Sequence, residues 1–159
     1  MDVRRPHWQP FGALAAVAVL IGCSSSSHGP SGLTYASYKF SCCSAPDIQQ
    51  TWHPGQTVEM HWIVQDAGQT TDNRRHPITL TAVMTGSYAD VNSLKGGAAA
   101  SRTIRAPAIN TDDRTPTAPS SIFTLPADLP TGFYNLGFGV DFGGGNSWNT
   151  ASIIQVGPP

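Results

Sequence analysis

The sequence predicts an all-β chain, an antiparallel β-sandwich of about seven to eight strands. Three observations predict it. Apolar residues alternate with period two in several short stretches, and turn residues separate those stretches. No window of useful length carries a helical period.

From Leu33 onward the chain reads as short β-like segments. A first strand pattern ends near Ser41, before Ser44-Ala45-Pro46 begins a turn. Pro54-Gly55 is a turn dipeptide that introduces Thr57–Val64, where Val58, Met60, Trp62 and Val64 alternate with Thr57, Glu59, His61 and Ile63. The next segment places Ile78, Leu80, Ala82 and Met84 inward, with Thr79, Thr81 and Val83 outward, where Thr and Val suit a strand. Ser121–Leu125 is a shorter strand pattern. Tyr134, Leu136, Phe138, Val140 and Phe142 share the apolar face of the following one. Gly143-Gly144-Gly145-Asn146 then joins it to the last strand, Ser152–Val156, as a hairpin. The glycines of Gly96-Gly97-Ala98-Ala99-Ala100 argue for a loop. The polar stretches Gln65–His76 and Asn110–Pro119 read as long loops.

The N-terminus carries a different signal. Arg4 and Arg5 precede an uncharged apolar run from Phe11 to Ile21, the pattern of a secretory signal. The run falls short of the about 20 residues that a membrane span needs. It ends in Leu20-Ile21-Gly22-Cys23, which resembles the lipobox of bacterial lipoproteins. That resemblance implies removal of residues 1–22, lipidation (palmitate included) at Cys23, and partnership with a membrane through the N-terminal lipid. The expected place is the cell membrane or outer envelope, facing the periplasm or exterior. Residues 23–32, rich in Ser, Gly and Pro, read as a tether, and 33–159 as the sandwich.

Charge and motifs exclude several functions. The formal net charge is −1 and no basic stripe appears, so nucleic acid is not an expected partner. There is no G-x-S-x-G elbow, no H-E-x-x-H and no phosphate loop. Glu59 is the sole glutamate, and the scattered aspartates suggest no pair of catalytic carboxylates. The expectation is a non-enzyme with no cofactor and no metal.

Thr51-Trp52-His53-Pro54-Gly55-Gln56-Thr57, the strand that follows, and later Leu125-Pro126-Ala127-Asp128-Leu129-Pro130-Thr131-Gly132-Phe133-Tyr134 carry a family likeness. Together they resemble the immunoglobulin-like β-sandwich module of the Ser-Thr-rich glycosylphosphatidylinositol-anchored surface proteins. The likeness runs from about Asp47 to Val156. It implies an immunoglobulin-like fold and says almost nothing of function. Tyr134 stands where such sandwiches have a corner tyrosine, its ring buried and its hydroxyl bonded to backbone.

The candidate site residues are few. With Cys23 lipidated, Cys42 and Cys43 are the remaining cysteines in an oxidising compartment. They would form a vicinal disulfide in a turn; the alternative buries one and leaves its neighbour free or in a covalent dimer. Trp52, His53 and Trp148 lie off the best core faces and are candidate ligand-binding residues, because exposed tryptophans stack on sugars or anchor partners. The expected function is a surface- or envelope-anchored binding or adhesion module for an unknown protein or polysaccharide ligand. The alternative is a periplasmic metal-binding or thiol-redox accessory protein using Cys42, Cys43 and a nearby histidine, His53 or His61.

Overall fold

The computed structural model describes residues 32–159. The signal segment, Cys23 and nearly all of the tether lie outside the described residues. In chain order the elements are β1 (Tyr35–Cys42), α1 (Ala45–Gln49), β2 (Thr51–Trp52), β3 (Thr57–Thr70) and β4 (Pro77–Tyr88). They continue with α2 (Val91–Lys95), β5 (Arg102–Arg105), β6 (Ile109–Asp112), β7 (Ser120–Thr124), β8 (Gly132–Asp141) and β9 (Ser147–Val156).

The strands form two sheets. One has the order β1-β3-β7, the other β2-β9-β8-β4-β5, with β6 also on β4. Every pairing is antiparallel except the short parallel match of β2 to β9 at Thr51↔Gln155 and Trp52↔Val156. The inward faces read from the alternation close on one another. Val58, Met60 and Trp62 of β3 and Phe123 of β7 meet Leu80, Ala82 and Met84 of β4, Leu136 and Phe138 of β8, and Ile154 of β9 in one buried cluster. Trp62 crosses the core to stand edge-on to Phe138, ring centroids 6.2 Å apart. Its indole N–H donates to the Ser121 hydroxyl at 3.0 Å, so the polar tip of the buried ring is satisfied.

The ring of Tyr134 is buried, and its hydroxyl donates to the Pro130 carbonyl at 2.7 Å, closing the turn before β8. Gly143, Gly144 and Gly145 all have positive φ, so the hairpin before β9 requires residues without a Cβ penalty.

Three expectations are corrected. Gln65–Thr70, read as loop, continues β3, because β1 pairs with it out to Tyr35↔Thr70 and supplies the backbone partners that its polar side chains do not advertise. Likewise Asn110–Asp112 belongs to β6 and pairs with Pro77–Thr79. Two five-residue helices, α1 and α2, are too short to leave a period in the sequence. No helix among the described residues is long and apolar enough to cross a membrane.

Candidate functional site

Of the three candidate ligand-binding residues, Trp148 alone is both exposed and part of a concavity. It pairs with Val140, so its side chain belongs to the inward face of its sheet, yet it is 44% exposed. The opposing sheet covers that corner only in part, through β1 and Gln65 of β3. β2 pairs with β9 only at Gln155 and Val156, leaving the start of β9 as a free edge. Trp148 and Phe142, itself 42% exposed, therefore wall an open groove of about 250 Å³. Lys39, Phe40 and Ser41 of β1 and Gln65 of β3 complete the lining. Two aromatic surfaces stand there beside an ammonium, a hydroxyl and an amide.

Trp52 does not belong to this surface, which corrects the expectation from sequence. It is fully buried, packs 6.0 Å from Phe123, and donates its indole N–H to the Asp47 carbonyl at 3.2 Å. The cause is the parallel match with β9, in which Trp52 pairs with the buried Val156 and shares its inward face. His53 is exposed, and its Nδ1 lies 2.5 Å from the Pro158 carbonyl, an arrangement that ties down the C-terminal end of the chain. Trp148 and Val156 are eight residues apart on β9, so Trp148 and His53 sit at opposite ends of that strand, roughly 26 Å apart. They do not form one site.

Cys42 ends β1 opposite Trp62, and its sulfur is bonded to that of Cys43. Both residues are half-buried against the core. The turn that follows is held by Asp47. Its carboxylate accepts the Ser44 hydroxyl at 2.6 Å and the His61 backbone N–H at 2.8 Å, with the His61 Nδ1 3.3 Å away. Burial works to raise the Asp47 pKa, but the hydrogen bonds from Ser44, the His61 amide and the His61 ring outweigh it and hold it below 3.8. Serine, histidine and aspartate are thus neighbours, but not as a nucleophile and its base. The Ser44 proton goes to Asp47, and no hydrogen bond joins Ser44 Oγ to the imidazole. Among the described residues, no group of three or more His, Cys, Asp or Glu is placed to hold a metal ion.

Sequence reasoning missed a second concavity. Thr34, Tyr35, Ala36 and Tyr38 at the start of β1 face Asn73 and Arg75 of the β3–β4 connection, and Arg114 beyond β6, around a cleft of about 420 Å³. Arg114 organises it. Its guanidinium lies 4.7 Å over the Tyr35 ring and donates to the backbone carbonyls of Ala36, Asp72 and Arg74. The Asp112 carboxylate accepts from Arg75 Nη1 at 2.9 and 3.1 Å, and it also accepts from the Arg114 amide and the Thr115 hydroxyl. Burial works to raise the Asp112 pKa, and those donors, led by Arg75, bring it down. The signal was present in the sequence: Arg74-Arg75-His76 in one polar stretch and Asp112-Asp113-Arg114 in the other are complementary in charge.

No protein-family model matches the chain, and no curated protein matches it.

Proposed function

We propose that the chain is a non-catalytic, envelope-anchored lipoprotein whose immunoglobulin-like sandwich binds polysaccharide in the groove walled by Trp148 and Phe142. The observation that carries this reading is Trp148, an inward-face tryptophan left 44% exposed in a concave, aromatic-walled surface. Folding alone gains by covering such a ring, about 25 cal/mol for each Å² of apolar surface buried. An aromatic wall gives a sugar ring an apolar face on which to stack, and Lys39, Ser41 and Gln65 offer donors to its hydroxyls.

The immunoglobulin-like part of the reading is supported by the division of the strands, with β1, β3 and β7 apart from β4, β8 and β9, and by the bond from the Tyr134 hydroxyl to Pro130. The metal or thiol-redox alternative has less support, because Cys42 and Cys43 are joined to each other and half-buried rather than offered as thiolates. The anchor rests on the Leu20-Ile21-Gly22-Cys23 pattern. Labelled palmitate should enter the full chain and be lost in Cys23→Ser.

The test is co-sedimentation of the detergent-solubilised full chain with insoluble cell-envelope polysaccharide. The wild type should sediment saturably, and Trp148→Ala should bind about tenfold more weakly with an unchanged melting temperature. Undiminished binding by Trp148→Ala defeats the groove. Capture of envelope proteins but not of polysaccharide defeats the ligand class.

A further inference from the structure

We infer that the cleft between the start of β1, the β3–β4 connection and the segment after β6 is a second binding site, and that it takes a neutral saccharide. It goes beyond the reading of the Trp148 groove and shares no residue with it.

The cleft has the size of a ligand site. Its volume of about 420 Å³ lies within the range of roughly 300–1,000 Å³ common for small-molecule sites. Its chemistry then selects the ligand. No aliphatic side chain larger than Ala36 lines it, so an apolar ligand would find no matching surface. An anion is disfavoured by the charges already present. Arg75 is 2.9 Å from the Asp112 carboxylate, and the Arg114 Nε is 3.7 Å from that of Asp113. Each guanidinium has its own counter-charge, with which a bound phosphate or carboxylate would have to compete.

What remains suits a polyol. The rings of Tyr35 and Tyr38 are half-buried and carry hydroxyls, while Thr34 and Asn73 are exposed at the rim. The Arg75 side chain is 67% exposed, and the hydrogen bonds it makes within the chain all come from Nη1, so Nη2 and Nε keep N–H donors for a ligand. A saccharide presents both an apolar C–H face and a ring of hydroxyls, which calls for an aromatic surface beside planar donors of fixed direction.

The donors are also pre-positioned. The Arg114 side chain is only 8% exposed, and it binds together the three chain segments that form the cleft through carbonyls of Ala36, Asp72 and Arg74. Its stacking on Tyr35 holds that ring in place. Binding then costs little ordering of the walls, the condition under which a small polar ligand is held usefully.

The experiment is calorimetric titration of the detergent-solubilised full chain with neutral hexasaccharides of α- and β-linked glucose and of mannose, and with inorganic phosphate and citrate. At least one saccharide should bind saturably. Tyr38→Ala and Arg75→Ala should each weaken it about tenfold, with circular dichroism unchanged. Tyr38→Phe, which keeps the ring, should retain most of the affinity, and Trp148→Ala should leave this binding as it is. The inference falls if none of the saccharides binds, if phosphate or citrate alone does, or if the Tyr38 and Arg75 variants bind normally. Loss of saccharide binding in Trp148→Ala alone overturns this site while leaving the proposed groove standing. The reverse pattern is the expected one, and it leaves the groove to its own co-sedimentation test.

Discussion

The ring of Tyr134 lies directly against the backbone of Gly86, its partner across the β4–β8 pair. A Cβ at Gly86 would fall 2.8 Å from both Cγ and Cε1 of that ring, closer than real contacts allow. The glycine is therefore a packing requirement, and the aromatic ring shields the strand where a side chain is missing. Gly86→Ala should destabilise the domain by about 1–3 kcal/mol, because neither the paired backbone nor a fully buried ring has room to retreat. Urea unfolding followed by circular dichroism measures it; an unchanged midpoint would show that the ring moves freely.

The Tyr134 hydroxyl makes a separable contribution. Tyr134→Phe keeps the ring and removes the donor to Pro130, so a loss of about 1 kcal/mol is expected. The same unfolding experiment reads it. A loss equal to that of Gly86→Ala would mean that the turn, and not the ring, is the main restraint.

The two tryptophans off the sequence's core faces should behave in opposite ways. Trp52→Ala should cost about 3–5 kcal/mol, since a fully buried indole and its bond to Asp47 both go. Trp148→Ala should stay within about 0.5 kcal/mol of wild type, as exposed substitutions do. Thermal unfolding of the two variants side by side decides it, and equal losses would contradict the exposure of Trp148.

Asp47 gives stability a sign-definite pH dependence. Its pKa is lower in the folded chain than the ordinary 3.8, so its hydrogen bonds contribute fully above that value. The contribution is lost as pH falls through the lower folded pKa, when the carboxyl is protonated. Unfolding midpoints measured from pH 7 down to about pH 2 should drop at the acid end, in the window that an aspartate governs. Asp47→Asn should be less stable at neutral pH and lose less on acidification. Parallel curves for the two proteins would remove Asp47 from the explanation.

Cys42 and Cys43 are bonded to one another, so the denatured monomer should take up alkylating agent at these two positions only after reduction. Intact mass spectrometry of the unfolded chain reads this directly. Labelling of both without reduction would return the pair to the thiols that a metal or redox role requires.

The regular alternation of Ile78, Leu80, Ala82 and Met84, and of Tyr134 through Val140, was enough to identify the strands and their buried faces. A period of two survives in sequence because each strand needs one apolar face whatever its neighbours are. Phe142 followed the same alternation and still came out exposed, because strand pattern states a direction and not whether another layer lies in that direction. Gln65–Thr70 failed for the converse reason. Its strand state comes from backbone bonds to β1, which leave no trace in side-chain polarity.

By itself, then, the sequence determined the all-β class, the inward faces of the main strands, and the buried Tyr134 with its hydroxyl bonded to backbone. These depend on local periodicity and on contiguous motifs. Only the tertiary structure decided that Trp52 is core while Trp148 walls a groove, and that two distant polar stretches meet around Arg114 to make a cleft. The physical reason is that exposure and concavity belong to the gaps between elements. Sheet order and strand ends set those gaps, and they are fixed by pairings between residues far apart in the chain.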